Sequence, residues 1–218
     1  MPIPCTDMTP PGILIAIPVK PFGVAKRRLA PALNATQRSQ VGKAVAAHVI
    51  ATAQATGCRV AVVTGDEGVA SWALRNSASV IREPEGGGLD QAATAAVRAA
   101  RSDGHAWMIL HADLPALTKS EMEEAVASVP EDGVLLAPSH DGGTSLLAAD
   151  LDVFPFAYGR ASFRRHLRAA APLSHRILVR AGFAIDLDGP ADLATAAGLP
   201  AGGWLSELIP DGAGYVEP

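Results

Sequence analysis

The run Ile13–Val19, "ILIAIPV", is apolar at every position. A strand with one wet face alternates polar and apolar residues. A strand that is apolar throughout must be covered on both sides, as in a parallel sheet with helices above and below it. Further apolar cores sit in "RVAVVTG", "AWMILHAD" and "GVLLAPSH", and the segments between such runs have helical character. A helix is expected from about Asn34 or Thr36 to Thr56, with Val41, Val45, Val49 and Ile50 on one face and Gly57 stopping it. "EGVASWALRN" reads as a short helix, "ASVIREP" as a strand, and "EGGGLDQAATAAVRAARSDG" as glycines leading into an Ala-rich helix. "TKSEMEEAVASV" opens with Thr118 and has Glu121 three residues on, the pattern of a capping box.

"DGGTSLLAAD" reads as a turn and a strand, "SFRRHLRAAA" as a helix, "HRILVRAGFAIDLDG" as one or two strands, and "PADLATAAG" as a last helix. Strands alternate with helices throughout, which predicts an α/β fold with a mostly parallel sheet flanked by helices. No linker or internal repeat divides the 218 residues. The expectation is one domain over 1–218, with a core at about 13–197, a loose leader at 1–12 and an extended tail at 198–218.

Composition excludes several classes. Hydrophobic residues make up 49% and charged residues 18%, so the chain can build a packed core. A net charge of −4 argues against a general nucleic-acid binder. Cys5 and Cys58 match neither a zinc pattern nor a disulfide scaffold, which suits a reduced cytoplasmic setting. "ILIAIPV" is too short to cross a bilayer and no basic stretch precedes it, so no membrane partner is expected.

Ligands of such folds bind beyond the carboxyl ends of the strands. The loops predicted there carry Lys20, Lys26, Arg27 and Arg28; then Gly86, Gly87, Gly88 and Asp90; then Asp113; then Asp141, Gly142, Gly143 and Thr144; then Asp186 and Asp188. "VKPFGVAKRRLAP" places four cations directly after the first strand and reads as the opening of a helix. Cations neutralise a triphosphate, glycines let backbone N–H groups approach phosphates, and carboxylates hold magnesium, which needs only one or two protein ligands. Asp186 and Asp188 alternate along a predicted strand and so share one side. Asp90 is a candidate to accept hydrogen bonds from a guanine edge. Neither a P-loop nor a dinucleotide fingerprint is present, nor a nucleophile elbow.

Five segments, "IPVKPFGVAKRRLAP", "HADLPALT", "DGGTSLL", "FPFAYGRASFRRHL" and "AIDLDGPADL", in this order and roughly these intervals, resemble the guanylyltransferases of coenzyme F(420) biosynthesis. The likeness covers about residues 13–197. It implies a Rossmann-like αβα sandwich of the nucleotide-diphospho-sugar transferase type. It also implies transfer of GMP from GTP to a three-carbon phospho-acid with release of pyrophosphate. On this resemblance Lys20, Lys26 and Arg28 face the GTP phosphates, and Asp113, Asp186 and Asp188 hold the metal. Thr144, Gly159 and Ser162 hold the acid, and Gly87, Gly88 and Asp90 lie by the nucleotide. Asp90 and Ser145 stand where the family commonly has Asn, which leaves the acid open among 2-phospho-L-lactate, phosphoenolpyruvate and 3-phospho-D-glycerate and leans toward the last.

Two other readings stand beside this one: a nucleotidyltransferase for a molybdopterin or sugar phosphate, and a catalytically silent nucleotide-binding domain. The sequence leaves the oligomeric state open, a homodimer included.

Overall fold

The computed structural model describes residues 12–23, 26–83 and 87–208. The apolar runs lie side by side in one seven-stranded sheet of order β3-β2-β1-β4-β6-β5-β7. The strands are β1 (Ile13–Pro18), β2 (Arg59–Thr64), β3 (Ser79–Arg82), β4 (Ala106–Leu110), β5 (Gly133–Pro138), β6 (Thr144–Ala149) and β7 (Ser174–Ile177). β1 is parallel to β2 and β4, β2 to β3, and β5 to β7. Among the described strands only β6 runs against its neighbours, β4 and β5.

Among the described residues seven α-helices connect or flank the strands: α1 (Ala35–Gln54), α2 (Glu67–Arg75), α3 (Leu89–Ser102), α4 (Lys119–Ala127), α5 (Ser162–Ala170), α6 (Ala181–Ala184) and α7 (Pro190–Gly198). Local chemistry sets their ends. The Asn34 side chain accepts from the Gln37 N–H and Gln37 answers with a bond to the Asn34 N–H, closing the start of α1. Thr118 and Glu121 do the same for α4, as the sequence predicts. Gly57, with φ +79°, turns the chain after α1.

Alternation along the buried strands feeds two cores. Ile15, Ile17, Val62, Met108 and Leu110 pack under Val49, Ile50 and Ala53 of α1 and under residues of α2, α4 and α6. Leu14, Ala16, Val63, Trp107 and Ile109 pack on the other face, under the alanines of α3 and Ala170 of α5. This is the three-layer αβα arrangement expected from strands apolar on both sides.

A third, smaller cluster positions the site. Leu29 of a 3₁₀ turn (Arg27–Leu29), Leu33, Val41 and Val45 pack with Leu187, Leu193, Ala196 and Leu205. Leu29 and Leu187 are fully buried, each contributing about 2 kcal/mol by leaving water. Burying these two leucines together brings the basic loop and the Asp186–Asp188 segment to one place.

Several expectations are corrected. The cationic stretch does not open a helix; a single 3₁₀ turn follows Lys26, which sits in the left-handed region at φ 58°. Residues 185–188 form no strand, and α6 and an irregular segment replace the second predicted strand. Their alternation is real but is satisfied by the leucine cluster rather than by a neighbouring strand. The segment after Leu199 is not extended: Gly203–Leu208 forms a 3₁₀ helix, Leu205 is buried, and Trp204 Nε1 donates to the Pro115 carbonyl. The predicted leader, Gly86 and the tail beyond Leu208 lie outside the described residues, apart from Gly12.

Candidate active site

The loops after β1, β4 and β5 and the start of β6 meet at one sheet edge. Because β6 is reversed, its first residue, Thr144, arrives where the parallel strands end. The Asp186–Asp188 segment is stitched to the same edge by the Leu187 N–H to the Asp113 carbonyl (2.8 Å) and the His140 N–H to the Ala184 carbonyl (2.8 Å).

Two adjoining cavities open there. One, of about 380 Å³, is lined by Lys20, Phe22, Lys26, His111, Asp113 and Asp188, among others. The second, of about 490 Å³, is lined by residues including Arg28, Asp141, Thr144, Tyr158, Gly159, Arg160, Ser162 and Asp186. Leu89, His111 and Asp188 wall both, so the two are lobes of one cleft.

Charge is concentrated at the divide. Lys26 Nζ donates to Asp113 Oδ2 at 2.7 Å and to the Leu187 carbonyl at 2.5 Å, and lies 3.9 Å from Asp188 Oδ1. Arg28 donates to Asp188 Oδ2 at 3.0 Å. Burial pushes the Asp113 carboxyl up, but Lys26 and then His111 outweigh it and hold the carboxyl below its ordinary range. Asp186 has no lysine or arginine beside it among the described residues. Burial, reinforced by Asp113 and Asp141, pushes its carboxyl up to about 6. Asp113 Oδ1 and Asp186 Oδ1 are buried with no hydrogen-bond partner among the described residues. His140 Nδ1 is 3.3 Å from Asp186 Oδ1 but out of bonding geometry; it faces the Ala184 carbonyl at 3.1 Å, while its Nε2 lies 3.2 Å from Asp192 Oδ1. Burial lowers the His140 pKa, but the Ala184 carbonyl, Asp186 and Asp192 raise it further, for a net rise.

The second lobe is tightly organised. Asp141 Oδ1 accepts from Ser139 Oγ (2.5 Å) and the Gly143 N–H (2.8 Å), fixing the turn that delivers Thr144, with Gly142 at φ +83°. A register shift between Ala137 and Pro138 breaks the ladder beside Ser145. His166 is fully buried and accepts the Ala157 N–H at Nε2 (2.9 Å). Its proton therefore sits on Nδ1 and is donated to Thr144 Oγ1 (2.9 Å). Ser162 Oγ also donates to Thr144 (3.2 Å). Ser162 is not a helix cap: Ala161, left-handed at φ 55°, holds that position, and the Ser162 N–H donates to the Gly159 carbonyl.

Of the sequence-predicted residues, Lys20, Lys26, Asp113 and Asp188 line the first lobe, and Arg28, Thr144, Gly159, Ser162, Asp186 and Asp188 line the second. Gly88 caps α3, and an added Cβ there would meet open space. Asp90 Oδ1 accepts the Tyr158 N–H at 2.7 Å, so it clamps the loop over the second lobe instead of standing free toward a base. Asp141, expected at this rim from its loop, lines the second lobe, whereas His111, Tyr158 and Arg160 join the cleft without a role expected for them from the sequence. His166 follows Tyr158 by eight residues, close enough to meet it but with no motif to announce the contact.

The family profile described as "Guanylyl transferase CofC like" matches residues 13–196. The chain belongs to this guanylyl transferase family. Among CofC-like relatives, the phosphoenolpyruvate guanylyltransferase of Sphaerobacter thermophilus is 34% identical over 191 residues, covering 85% of this chain and 92% of that protein. The 3-phospho-D-glycerate guanylyltransferase of Phenylobacterium zucineum is 33% identical over 198 residues, covering 86% and 90%. Among solved structures, a putative nucleotide-diphospho-sugar transferase from Desulfovibrio desulfuricans G20 superposes with a TM-score of 0.72 at 18% identity, covering 89% of this chain and 94% of that one. The αβα sandwich of the CofC-like chain is thus of the nucleotide-diphospho-sugar transferase type. No helix among the described residues is long and apolar enough to cross a membrane.

Proposed function

We propose that the enzyme transfers GMP from GTP to the phosphate of a three-carbon phospho-acid in coenzyme F(420) biosynthesis, with the nucleotide phosphates in the first lobe and the acid in the second. The observation that carries this is the placement of Asp113 Oδ1 and Asp186 Oδ1, two buried carboxylate oxygens without partners, at the divide between a cation-lined lobe and a second polar one.

The donor set fits a hard divalent ion. No group of three metal-ligating side chains exists among the described residues. Magnesium beside a nucleotide needs only one or two carboxylates, the remaining positions going to phosphates and water. Asp113 and Asp186, with Asp188 beside them, would hold such an ion, and its charge would neutralise the α-phosphate and the incoming phosphate.

The chain's own residues do the rest. The acceptor phosphate has a second pKa of about 6 and is already largely dianionic, so no general base is required. One of its oxygens forms a bond to the α-phosphorus, the bond to the bridging oxygen of the β-phosphate breaks, and pyrophosphate leaves. Lys20, in the first lobe, attracts the departing pyrophosphate, and Arg28, which lines the second, is held against Asp188 at the divide. Lys26 orients Asp113 and sets its ionised state. Thr144, Ser162, Gly159 and Arg160 line the lobe that would take the acid, Arg160 contributing a positive charge. Positioning and electrostatics supply the catalysis.

The test is pyrophosphate release with GTP, magnesium and a panel of phospho-acids. Turnover with at least one three-carbon acid, abolished by Asp113→Asn in a folded protein, is expected. Retained GTP binding with silence across the panel would instead mark a nucleotide-binding module.

A further inference from the structure

Among the described residues, five buried side-chain polar atoms lack a hydrogen-bond partner: Asp113 Oδ1, Asp186 Oδ1, His111 Nε2, Tyr158 Oη and Ser145 Oγ. All lie at the cleft edge or, like Ser145, beside a residue that lines it; the His111 N–H donates to the Ser145 carbonyl at 2.9 Å. The two carboxylate oxygens answer to a cation. The other three belong to neutral groups, and a hard cation served by two carboxylates, phosphates and water does not require them.

His111 and Tyr158 both wall the second lobe, with ring centroids 5.5 Å apart. Everything about Tyr158 except its hydroxyl is fixed. Its N–H is held by Asp90, its ring stacks on Phe156 (6.0 Å, 13°), and it meets His166 edge-on (4.7 Å, 75°). A phenol held this firmly with an unpaired hydroxyl carries a desolvation cost until a partner enters.

We propose that Tyr158 and His111 read the free hydroxyl of a hydroxylated three-carbon phospho-acid, making 3-phospho-D-glycerate the preferred acceptor class. The inference rests on the guanylyltransferase reading above. The acid's phosphate and carboxylate are anions and seek cations and N–H donors. A phenol and an imidazole instead offer a neutral donor and acceptor, which suits an alcohol. Of the three acids, 3-phospho-D-glycerate alone carries a hydroxyl beyond its phosphate and carboxylate. Phosphoenolpyruvate and 2-phospho-L-lactate would leave both wall atoms unpaired, and a site built to bond a hydroxyl discriminates against analogues that lack one.

The test is Tyr158→Phe, which deletes only the unpaired oxygen, assayed with 3-phospho-D-glycerate and phosphoenolpyruvate as separate acceptors and by melting of the ligand-free protein. The wild type should prefer 3-phospho-D-glycerate. The variant should lose about tenfold in kcat/KM for that acid, through KM, with phosphoenolpyruvate changed less than about twofold. Its ligand-free Tm should be unchanged or higher, since no bond in the fold is lost. Equal effects on both acids, a wild-type preference for phosphoenolpyruvate, or a lowered Tm would each overturn the inference while leaving the reaction class standing. Turnover of none of the three acids by the wild type, 2-phospho-L-lactate included, would overturn both.

Discussion

Lys26 Nζ stands 2.7 Å from Asp113 Oδ2, although 87 residues separate the two in sequence. The pair is only partly exposed, with side-chain accessibilities of 12% and 25%. Lys26 therefore keeps Asp113 ionised in a place where burial opposes the charge. Lys26→Met should lower activity by about 10²-fold or more, as expected for loss of an electrostatic contact in a preorganised site. It should also cost about 2 kcal/mol of stability through the lost charge-assisted bond. Pyrophosphate release and urea unfolding check the two effects. Unchanged activity would remove Lys26 from the machinery.

The pH dependence of stability should contain two opposing parts. Asp186 has a folded pKa of about 6, above its ordinary 3.8, chiefly through burial. Its contribution is therefore present below about pH 4 and lost as pH rises through 6. At neutral pH the ionised group costs roughly 3 kcal/mol in the metal-free protein. His166 is lowered to about 4, again chiefly through burial, from 6.5. Its contribution is present above 6.5 and lost as pH falls toward 4, also by roughly 3 kcal/mol. The two slopes nearly cancel between pH 4 and 6. Asp186→Asn should unmask stability that climbs with pH, and should make the metal-free protein more stable at pH 7 while abolishing turnover. Denaturant midpoints across this range test it; an Asn variant less stable than wild type at pH 7 contradicts the assigned burial cost.

Ala161 holds φ 55° and ψ 36°, a left-handed conformation that a Cβ disfavours. Ala161→Gly should relieve this and raise stability by about 1 kcal/mol, roughly 2–4 °C in Tm. A lower Tm would mean that the freedom glycine gains in the unfolded chain outweighs the relieved strain.

Arg160 is exposed and lines the second lobe, so its charge is available to an acid carboxylate or phosphate. Arg160→Ala should raise the acceptor KM about tenfold or more, as for a charge-assisted bond, and leave the KM for GTP nearly unchanged. Ser162→Ala should shift the same constant in the same direction, by loosening Thr144. Steady-state kinetics with each substrate varied in turn distinguishes this from a general loss of fold, which would move both constants.

Much of the architecture was legible because it rests on local rules. The uniformly apolar runs dictate covered strands, the Thr118 cap marks a helix start, and the parallel connections send several loops to one edge. The site was legible as far as charge and glycine gathered on those loops. What stayed hidden depends on distant partners. "AIDLDG" alternates like a strand, yet Leu187 turns inward to meet Leu29 and no strand pairs with it. Asp90 looks free in sequence because nothing local reveals that the Tyr158 N–H will reach it across 68 positions. The His166 contacts were equally silent, since a buried histidine and a surface one share the same letter.

The reversal of β6 has a consequence for how such a molecule can change. The chain enters the sheet at that end instead of leaving it, so the hairpin turn, Thr144 and the Tyr158–Ser162 loop all fall within one contiguous stretch, 139–162. On the proposed reading the nucleotide-facing lobe is assembled from segments far apart in the chain. On the same reading most of the acid-facing side is one cassette, joined from elsewhere by His111, Arg28 and Asp186. Exchange of that cassette offers a short route to a new preference without disturbing the shared chemistry.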